Sequence, residues 1–515
     1  RSPGIDAALV VSSRGARLID VASGRAVALP VQVDTAARSF VVRVPRTLLP
    51  TSGTSTVRLA AGLADAAGTA FASPVTNVTF RTIAQEPAAN NFWNDDAQAR
   101  QLLLGDVSPF QAEVDWSALA SGTTTPEAAP TGWSDRWYVS SIEPGQGRRT
   151  DPAAEDDGKP TYLGRVQPYG VFVPTGYHGQ PVPLTFLLHS LTQNHNQYAA
   201  TTPKLSQQAC EARTSICVTT LGRGPSGFYD DEAQLDFWEV WNRVASAYRL
   251  DPDRTITAGY SMGGIGSNHL AQAHPDLFAA AILLAGASGG DTPSVDNLRW
   301  VPMYLAGGAE DELVPVTDTK SLADGLDRRG YRYRWLLYPA EDHVAFELQD
   351  GFSDAAAYMG QRVRTTQPGH VTFRWDPADE RPQYGFGTTG AYWLRELVAR
   401  GRGPAAVDAT SSADPDPAVT PLRTHDALVP GDPTPAVVSQ LEWQLGARPA
   451  RAPLVTATLT NVGAVTIRLG DAGVARGERC TLDITTDGPV RVTIVGPTGA
   501  RSEVRLEAGH HRLVR

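Results

Sequence analysis

The chain has 515 residues, of which 42% are hydrophobic and 19% charged, and a formal net charge of −10. That length exceeds one ordinary core and calls for roughly two to four domains, and the composition excludes a disordered chain. The negative charge is spread out with no basic cluster, which excludes a nucleic-acid surface, and no apolar run approaches the ~20 residues of a membrane-spanning helix.

Residues 1–85 read as an accessory β-sandwich domain, with short β-prone runs over 8–11, 16–21, 31–33, 40–44 and 56–59 separated by turn residues. The stretch VQVDTAARSFVVRVPRTLLP (31–50) resembles a β-sandwich module attached to secreted carbohydrate-active enzymes such as glucodextranase. That resemblance implies a binding or spacer role; a module that only stabilises its neighbour fits equally. Residues 86–160 form an irregular connecting region, with a short helix over 95–104 and loops over 121–132 and 143–160. The acidic trio Glu155, Asp156 and Asp157 reads as a solvated loop, while Phe92, Trp93, Trp116, Trp133, Trp137 and Tyr138 imply a packed surface.

From 161 to 400 strands and helices alternate. Strands are expected over 182–188, 215–221, 254–257, 279–284, 303–306 and 331–338, and helices over 198–212, 232–248, 265–273 and 317–329. The helix over 232–248 places Leu235, Trp238, Trp241 and Val244 on one face. Such alternation predicts an α/β domain, a mostly parallel sheet flanked by helices. Further helices are expected over 352–363 and 391–400, a β-like run over 370–375, and a loop over 376–390. Residues 401–450 read as a linker. Clean alternation over 451–515 reads as a C-terminal β-rich domain, or as strands that join the N-terminal sandwich.

Within the α/β segment, TAGYSMGG (257–264) is a G-x-S-x-G pattern set between a strand and a helix. The turn has no room for side chains at Gly259 or Gly263, and it exposes Ser261. A serine hydroxyl needs a base, and the base needs an orienting carboxylate. The carboxylate follows the strand over 303–306, where Asp311 is chosen over Glu310 and Glu312. The base follows the last strand of the domain, which selects His343 over His195. An oxyanion needs two N–H donors: one is Met262, the other Ser190 or Leu191 in HSLTQNHNQY. His189, Tyr260, Phe228, Tyr229, Trp300 and Phe346 are candidates for the substrate pocket. Cys210 and Cys217 lie close enough to bridge, as an exported protein would favour, and Cys480 reads as a core residue. No His/Cys spacing suggests a metal, and the chemistry needs no cofactor.

The motifs LLHSLTQNHNQY, LGRGPSGFYDDEAQLDFWEVW, DPDRTITAGYSMGGIGSNHLAQAHPDLFAAA, AGGAEDELVP and DHVAF, over 161–345, resemble the secreted esterase branch of the α/β-hydrolases. That branch includes polyhydroxyalkanoate depolymerases and feruloyl or acetylxylan esterases. The same motifs resemble the catalytic domain of prolyl-oligopeptidase-type serine peptidases. The resemblance implies an α/β-hydrolase fold with Ser261, Asp311 and His343 as nucleophile, acid and base. Ser190 departs from it, since the family usually has glycine after the histidine. The expected function is a secreted serine hydrolase acting on carboxylic esters, with polymeric and small substrates both open. The alternative is a peptidase of the prolyl-oligopeptidase type. Oligomeric state is left open.

Overall fold

The runs Leu184–Leu188, Ile216–Thr220, Ile256–Tyr260, Ala280–Leu284 and Met303–Gly308 contain no charged residue, and every residue in them is buried. Strands covered on both faces read this way. The computed structural model describes residues 4–34, 39–49, 52–61, 64–70, 77–78, 108, 111–121, 131–142, 148–150, 160–346, 351–385, 390–431 and 434–515. In it these runs form the middle of a ten-stranded sheet. Eight of its strands are β1 (Gly132–Val139), β2 (Val166–Val173), β3 (Leu184–Leu188), β4 (Ile216–Thr220), β5 (Ile256–Tyr260), β6 (Ala280–Leu284), β7 (Met303–Gly308) and β8 (Tyr333–Tyr338). They lie in the order β1-β2-β4-β3-β5-β6-β7-β8. Strands β3 to β8 are parallel to their neighbours among themselves, and β2 runs antiparallel to β4. This is the α/β-hydrolase arrangement. The order reverses direction around β3, and in open α/β sheets ligands bind beyond the strand ends at such a point.

Helices α1 (Asp231–Ala247), α2 (Met262–Ala273) and α3 (Val316–Arg329) cover the sheet. Helix α1 buries Leu235, Phe237, Val240 and Val244, and Phe237 packs on Phe186 of β3 at 4.2 Å between ring centroids. Each such buried side chain contributes about 1.5–3 kcal/mol. Helix α3 ends at Gly330, whose φ of 69° suits glycine at a left-handed cap. The helix expected over 198–212 is broken into Gln197–Ala200, Pro203–Leu205 and a π-helical turn Ser206–Glu211. Pro203, with no N–H to give, starts the second piece.

The C-terminal third differs from expectation. Its strands are β9 (His370–Trp375), β10 (Gly390–Ala391), β11 (Leu394–Ala399), β12 (Ala405–Ser411), β13 (Val419–Val429), β14 (Ala436–Leu445), β15 (Leu454–Thr460), β16 (Val462–Arg468), β17 (Thr481–Thr486), β18 (Val490–Val495), β19 (Arg501–Leu506) and β20 (Gly509–Val514). Two five-stranded sheets, β9-β12-β15-β17-β20 and β10-β11-β16-β18-β19, share one core that includes Phe373, Trp393, Val407, Val455, Ile467 and Val492. Among the described residues, the strands of these two five-stranded sheets pair only with one another. The helix expected over 391–400 is the strand pair β10–β11. Its misleading three-residue spacing has a cause: β11 bulges at Glu396, at φ 50°, so Leu394 and Leu397 are both buried. The stretch 401–450 is not a linker. It supplies β12 to the smaller sheets and the hairpin β13–β14 to the large one, with β14 antiparallel to β8. The β-rich region therefore begins near 370 rather than 451.

The N-terminal unit spans Arg1–Ala129 and Trp133–Asp135. Ala7–Ser12, Gly15–Asp20 and Ala26–Leu29 form an antiparallel sheet over a small core of Ala16, Leu18 and Leu29. Thr54–Val57 pairs with Ala112–Asp115, so the boundary drawn at 85 is crossed by a strand pair. The region drawn as irregular over 86–160 holds that strand, the helix Trp116–Ala120 capped by Asp115, and β1. The helix expected over 95–104, the loop over 122–130, Phe92, Trp93, Glu155, Asp156 and Asp157 lie outside the described residues.

Candidate active site

Strand β5 ends at Tyr260 and helix α2 begins at Met262, leaving Ser261 alone at the turn with φ 53° and ψ −122°. A non-glycine residue there costs about 1–3 kcal/mol. The turn is held by the Ser261 N–H donating to Leu284 O at 2.8 Å and the Ile265 N–H donating to Ser261 O at 3.0 Å. Close backbone approach dictates the glycines. A Cβ on Gly263 would lie 1.9 Å from Leu188 O, and one on Gly259 would lie 2.2 Å from the Gly263 carbonyl carbon. The start of α2 thus rests directly on the end of β3. Gly263→Ala should cost about 3 kcal/mol or more. Urea denaturation reads this, and an unchanged midpoint would show that the end of β3 gives way freely.

Asp311 sits on the loop after β7 and His343 on the loop after β8. The Asp311 Oδ1 accepts the N–H groups of Leu313 at 3.0 Å and Val314 at 2.7 Å, which fixes the carboxylate. Both carboxylate oxygens lie 2.9 Å from His343 Nδ1, and His343 Nε2 lies 2.9 Å from Ser261 Oγ. An ionised carboxylate only accepts, so Nδ1 carries the proton and Nε2 is left to accept from the serine. All three residues are buried, whereas Glu310 and Glu312 are exposed. The structure thus brings Ser261, His343 and Asp311 into one hydrogen-bonded row at the carboxyl ends of parallel strands. His343, not His195, meets the serine. Such a row can take a proton from the hydroxyl as it attacks a carbonyl.

Met262 is the first residue of α2, so its N–H has no acceptor within the helix. Of the two candidates for a second donor, Ser190 is already committed: its N–H donates to Gln197 Oε1 at 2.7 Å. No acceptor among the described residues takes the Leu191 N–H, which leaves Leu191 as the available amide on this loop.

The pocket candidates separate. His189 is fully buried, with Nε2 2.7 Å from Leu221 O and Nδ1 2.9 Å from Ser190 O. It braces the loops after β3 and β4 rather than lining a pocket. Tyr229 is also buried, its hydroxyl donating to His189 O at 3.3 Å and its ring wedged against Gly266 of α2. Phe228 beside it is half-buried at φ 48°. Phe346 is buried against Tyr338 and Tyr260. Trp300 is away from the site: its indole N–H donates to His370 O at 2.7 Å and it packs on the core of the two smaller sheets. Tyr260 is 3% exposed and turned toward the His343 loop, not toward solvent. Cys210 and Cys217 are joined in a disulfide, tying the π-helical turn to β4, and Cys480 is buried and free.

Burial lowers the His189 imidazole to about 4 from an ordinary 6.5. Between those values the unfolded chain binds a proton that the folded one refuses, so stability falls as pH falls through that window. The full loss is on the order of 3 kcal/mol. Melting temperature followed from pH 7 to pH 4 should drop with a slope that His189→Gln reduces; parallel curves for the two proteins would refute this.

Three supports were not visible in the sequence. Gln197 holds the Ser190 amide. The Tyr198 hydroxyl donates to Leu188 O at 2.6 Å and accepts the Tyr260 N–H at 3.2 Å, bridging β3 and β5 just where they part. The buried pair Arg223–Asp236, at 2.7 Å, ties the loop after β4 to α1, with the Tyr138 hydroxyl donating to the same carboxylate at 2.6 Å. Burial raises the Asp236 carboxyl, and these donors oppose that push. A buried tyrosine must find a partner, but the sequence does not say which.

Residues 227–289 match the prolyl oligopeptidase family. An 87-residue stretch is 33% identical to the "Putative esterase NocK" of Nocardia uniformis subsp. tsuyamanensis, covering 17% of this chain and 25% of that protein. The match therefore spans a quarter of that curated relative's length. Among solved structures, FphF of Staphylococcus aureus, a fluorophosphonate-binding serine hydrolase, is 18% identical over 45% of this chain and 99% of its own, with a TM-score of 0.34. The ferulic acid esterase AmCE1/Fae1A of Anaeromyces mucronatus is 18% identical over 45% and 91%, also with a TM-score of 0.34. Among the described residues no group of three or more His, Cys, Asp or Glu is placed to hold a metal ion, and no helix is long and apolar enough to cross a membrane.

Proposed function

We propose that the chain is a serine esterase in which Ser261, His343 and Asp311 act as a catalytic triad on a carboxylic ester. The observation that carries this reading is the hydrogen-bonded row from Asp311 through His343 to Ser261 at a strained strand-to-helix turn. In the proposed reaction His343 Nε2 takes the Ser261 proton while Oγ attacks the ester carbonyl. The Met262 and Leu191 N–H groups hold the oxyanion. The alcohol departs with the proton from His343, and the same histidine then activates water to release the acid. The likeness to the curated esterase covers a short stretch and supports the ester reading only to that extent. Export fits the Cys210–Cys217 disulfide, which persists in oxidising compartments. A polymeric ester is the substrate we favour testing first, with small aryl esters beside it.

One panel tests the proposal: p-nitrophenyl esters of increasing acyl length, feruloyl esters, a polyester film and proline-containing peptide amides, together with fluorophosphonate labelling. Ester turnover and an adduct on Ser261 are expected. Turnover confined to the peptide amides would favour the peptidase reading suggested by the family match over 227–289. No adduct and no turnover of any substrate would overturn both.

A further inference from the structure

The loop that carries His343 is anchored on two sides. Toward the Asp311 loop, the Ala309 N–H donates to Tyr338 O at 2.9 Å and the Glu310 N–H to Glu341 O at 3.0 Å. Toward the elbow, the anchor comes from the residue just before the serine: the Tyr260 hydroxyl donates to the main-chain carbonyl of His343. The two rings also face each other, 5.4 Å between centroids and tilted by 33°. Phe346 packs edge-on to the Tyr260 ring at 6.4 Å. Tyr260 itself is fixed at its own N–H by the Tyr198 hydroxyl at 3.2 Å.

We infer that Tyr260 is a positioning residue for the His343–Ser261 contact, a role beyond the three side chains named above and resting on that reading of them. The reasoning is geometric. Ser261 and His343 come from loops 82 residues apart in the chain. Their Oγ–Nε2 contact must survive while the imidazole gains and loses a proton, because a small misplacement of reacting groups can cost about 10²-fold. A phenol that starts from the residue adjacent to the nucleophile and ends on the carbonyl of the base closes a ring around that contact. When the elbow shifts, the base shifts with it. Asp311 orients the imidazole but is carried by a different loop, so it does not tie the base to the nucleophile.

The test is Tyr260→Phe, which keeps the ring against Phe346 and removes only the hydroxyl. Turnover of p-nitrophenyl acetate should show kcat reduced about 10- to 100-fold with KM within about twofold, and the fluorophosphonate labelling rate should fall with kcat. The downfield proton NMR signal of the His343 Nδ1–H, a property independent of turnover, should broaden or move upfield in the variant. Equal kcat and an unchanged signal in an active, folded Tyr260→Phe protein would overturn the inference and leave the esterase reading standing. An altered signal in a protein whose wild type neither turns over esters nor labels would do the reverse. Should the Phe variant fail to fold, Tyr260→Gln keeps a donor without the ring. Retention of the wild-type signal there supports a donor to the His343 carbonyl as the anchor, and loss of the signal from a folded Gln variant that keeps the wild-type kcat overturns the inference.

Discussion

Ser261→Ala should lower kcat for an activated ester on the order of 10⁵-fold, with little change in melting temperature. The loss is large because the row Asp311–His343 has nothing to activate without the hydroxyl. The residual rate is what the Met262 and Leu191 amides can give to a direct attack by water. Removing the side chain also removes little packing, since the turn is held by the main-chain bonds of Ser261 to Leu284 and Ile265. Steady-state turnover beside a thermal melt checks both halves. Retained activity, or a collapse in stability, would mean that the hydroxyl is a structural group and that the nucleophile lies elsewhere.

Asp311→Asn should cost about 10⁴-fold in kcat while preserving the fold. The argument rests on which oxygen is already occupied. The N–H groups of Leu313 and Val314 both donate to Oδ1, so an asparagine must leave its carbonyl oxygen there. Its NH₂ then faces His343 Nδ1 and donates to it. The imidazole proton is driven to Nε2, where it meets the serine oxygen and prevents that nitrogen from acting as a base. A parallel measurement on Glu310→Gln and Glu312→Gln should show rates near wild type, because both side chains are exposed on the same loop. A mild defect in Asp311→Asn with a severe one in either glutamate variant would reassign the carboxylate.

The α/β segment was legible because its chemistry is local. Burial on both faces leaves uncharged strands, the 3.6-residue period marks α1 and α3, and the elbow announces itself by glycines that a Cβ would push into Leu188 and Gly263. Chain order alone then pointed to Asp311 and His343. What stayed hidden was set by distant partners. Gln197 takes the Ser190 amide, which removes one of two equal candidates for the oxyanion. Trp300, an aromatic within the α/β segment, belongs to the interior of the smaller sheets through His370. The segment 391–400 has helical spacing only because a bulge at Glu396 adds one residue to a strand. The Pro-, Asp- and Thr-rich stretch 401–450 looked like a tether because β13 lies at a sheet edge, where one face and one row of main-chain groups meet water and polar residues are tolerated.

The position of the hairpin Val419–Val429 and Ala436–Leu445 constrains how this chain can be made on a ribosome or shortened by evolution. Tyr333–Tyr338, the strand that delivers the histidine, receives its outer neighbour from a part of the polypeptide made about a hundred residues later. The flank of the sheet beside the strand that leads to His343 therefore stays uncovered until that hairpin has been made. A break in the chain after residue 400 would separate the large sheet from its own border strands.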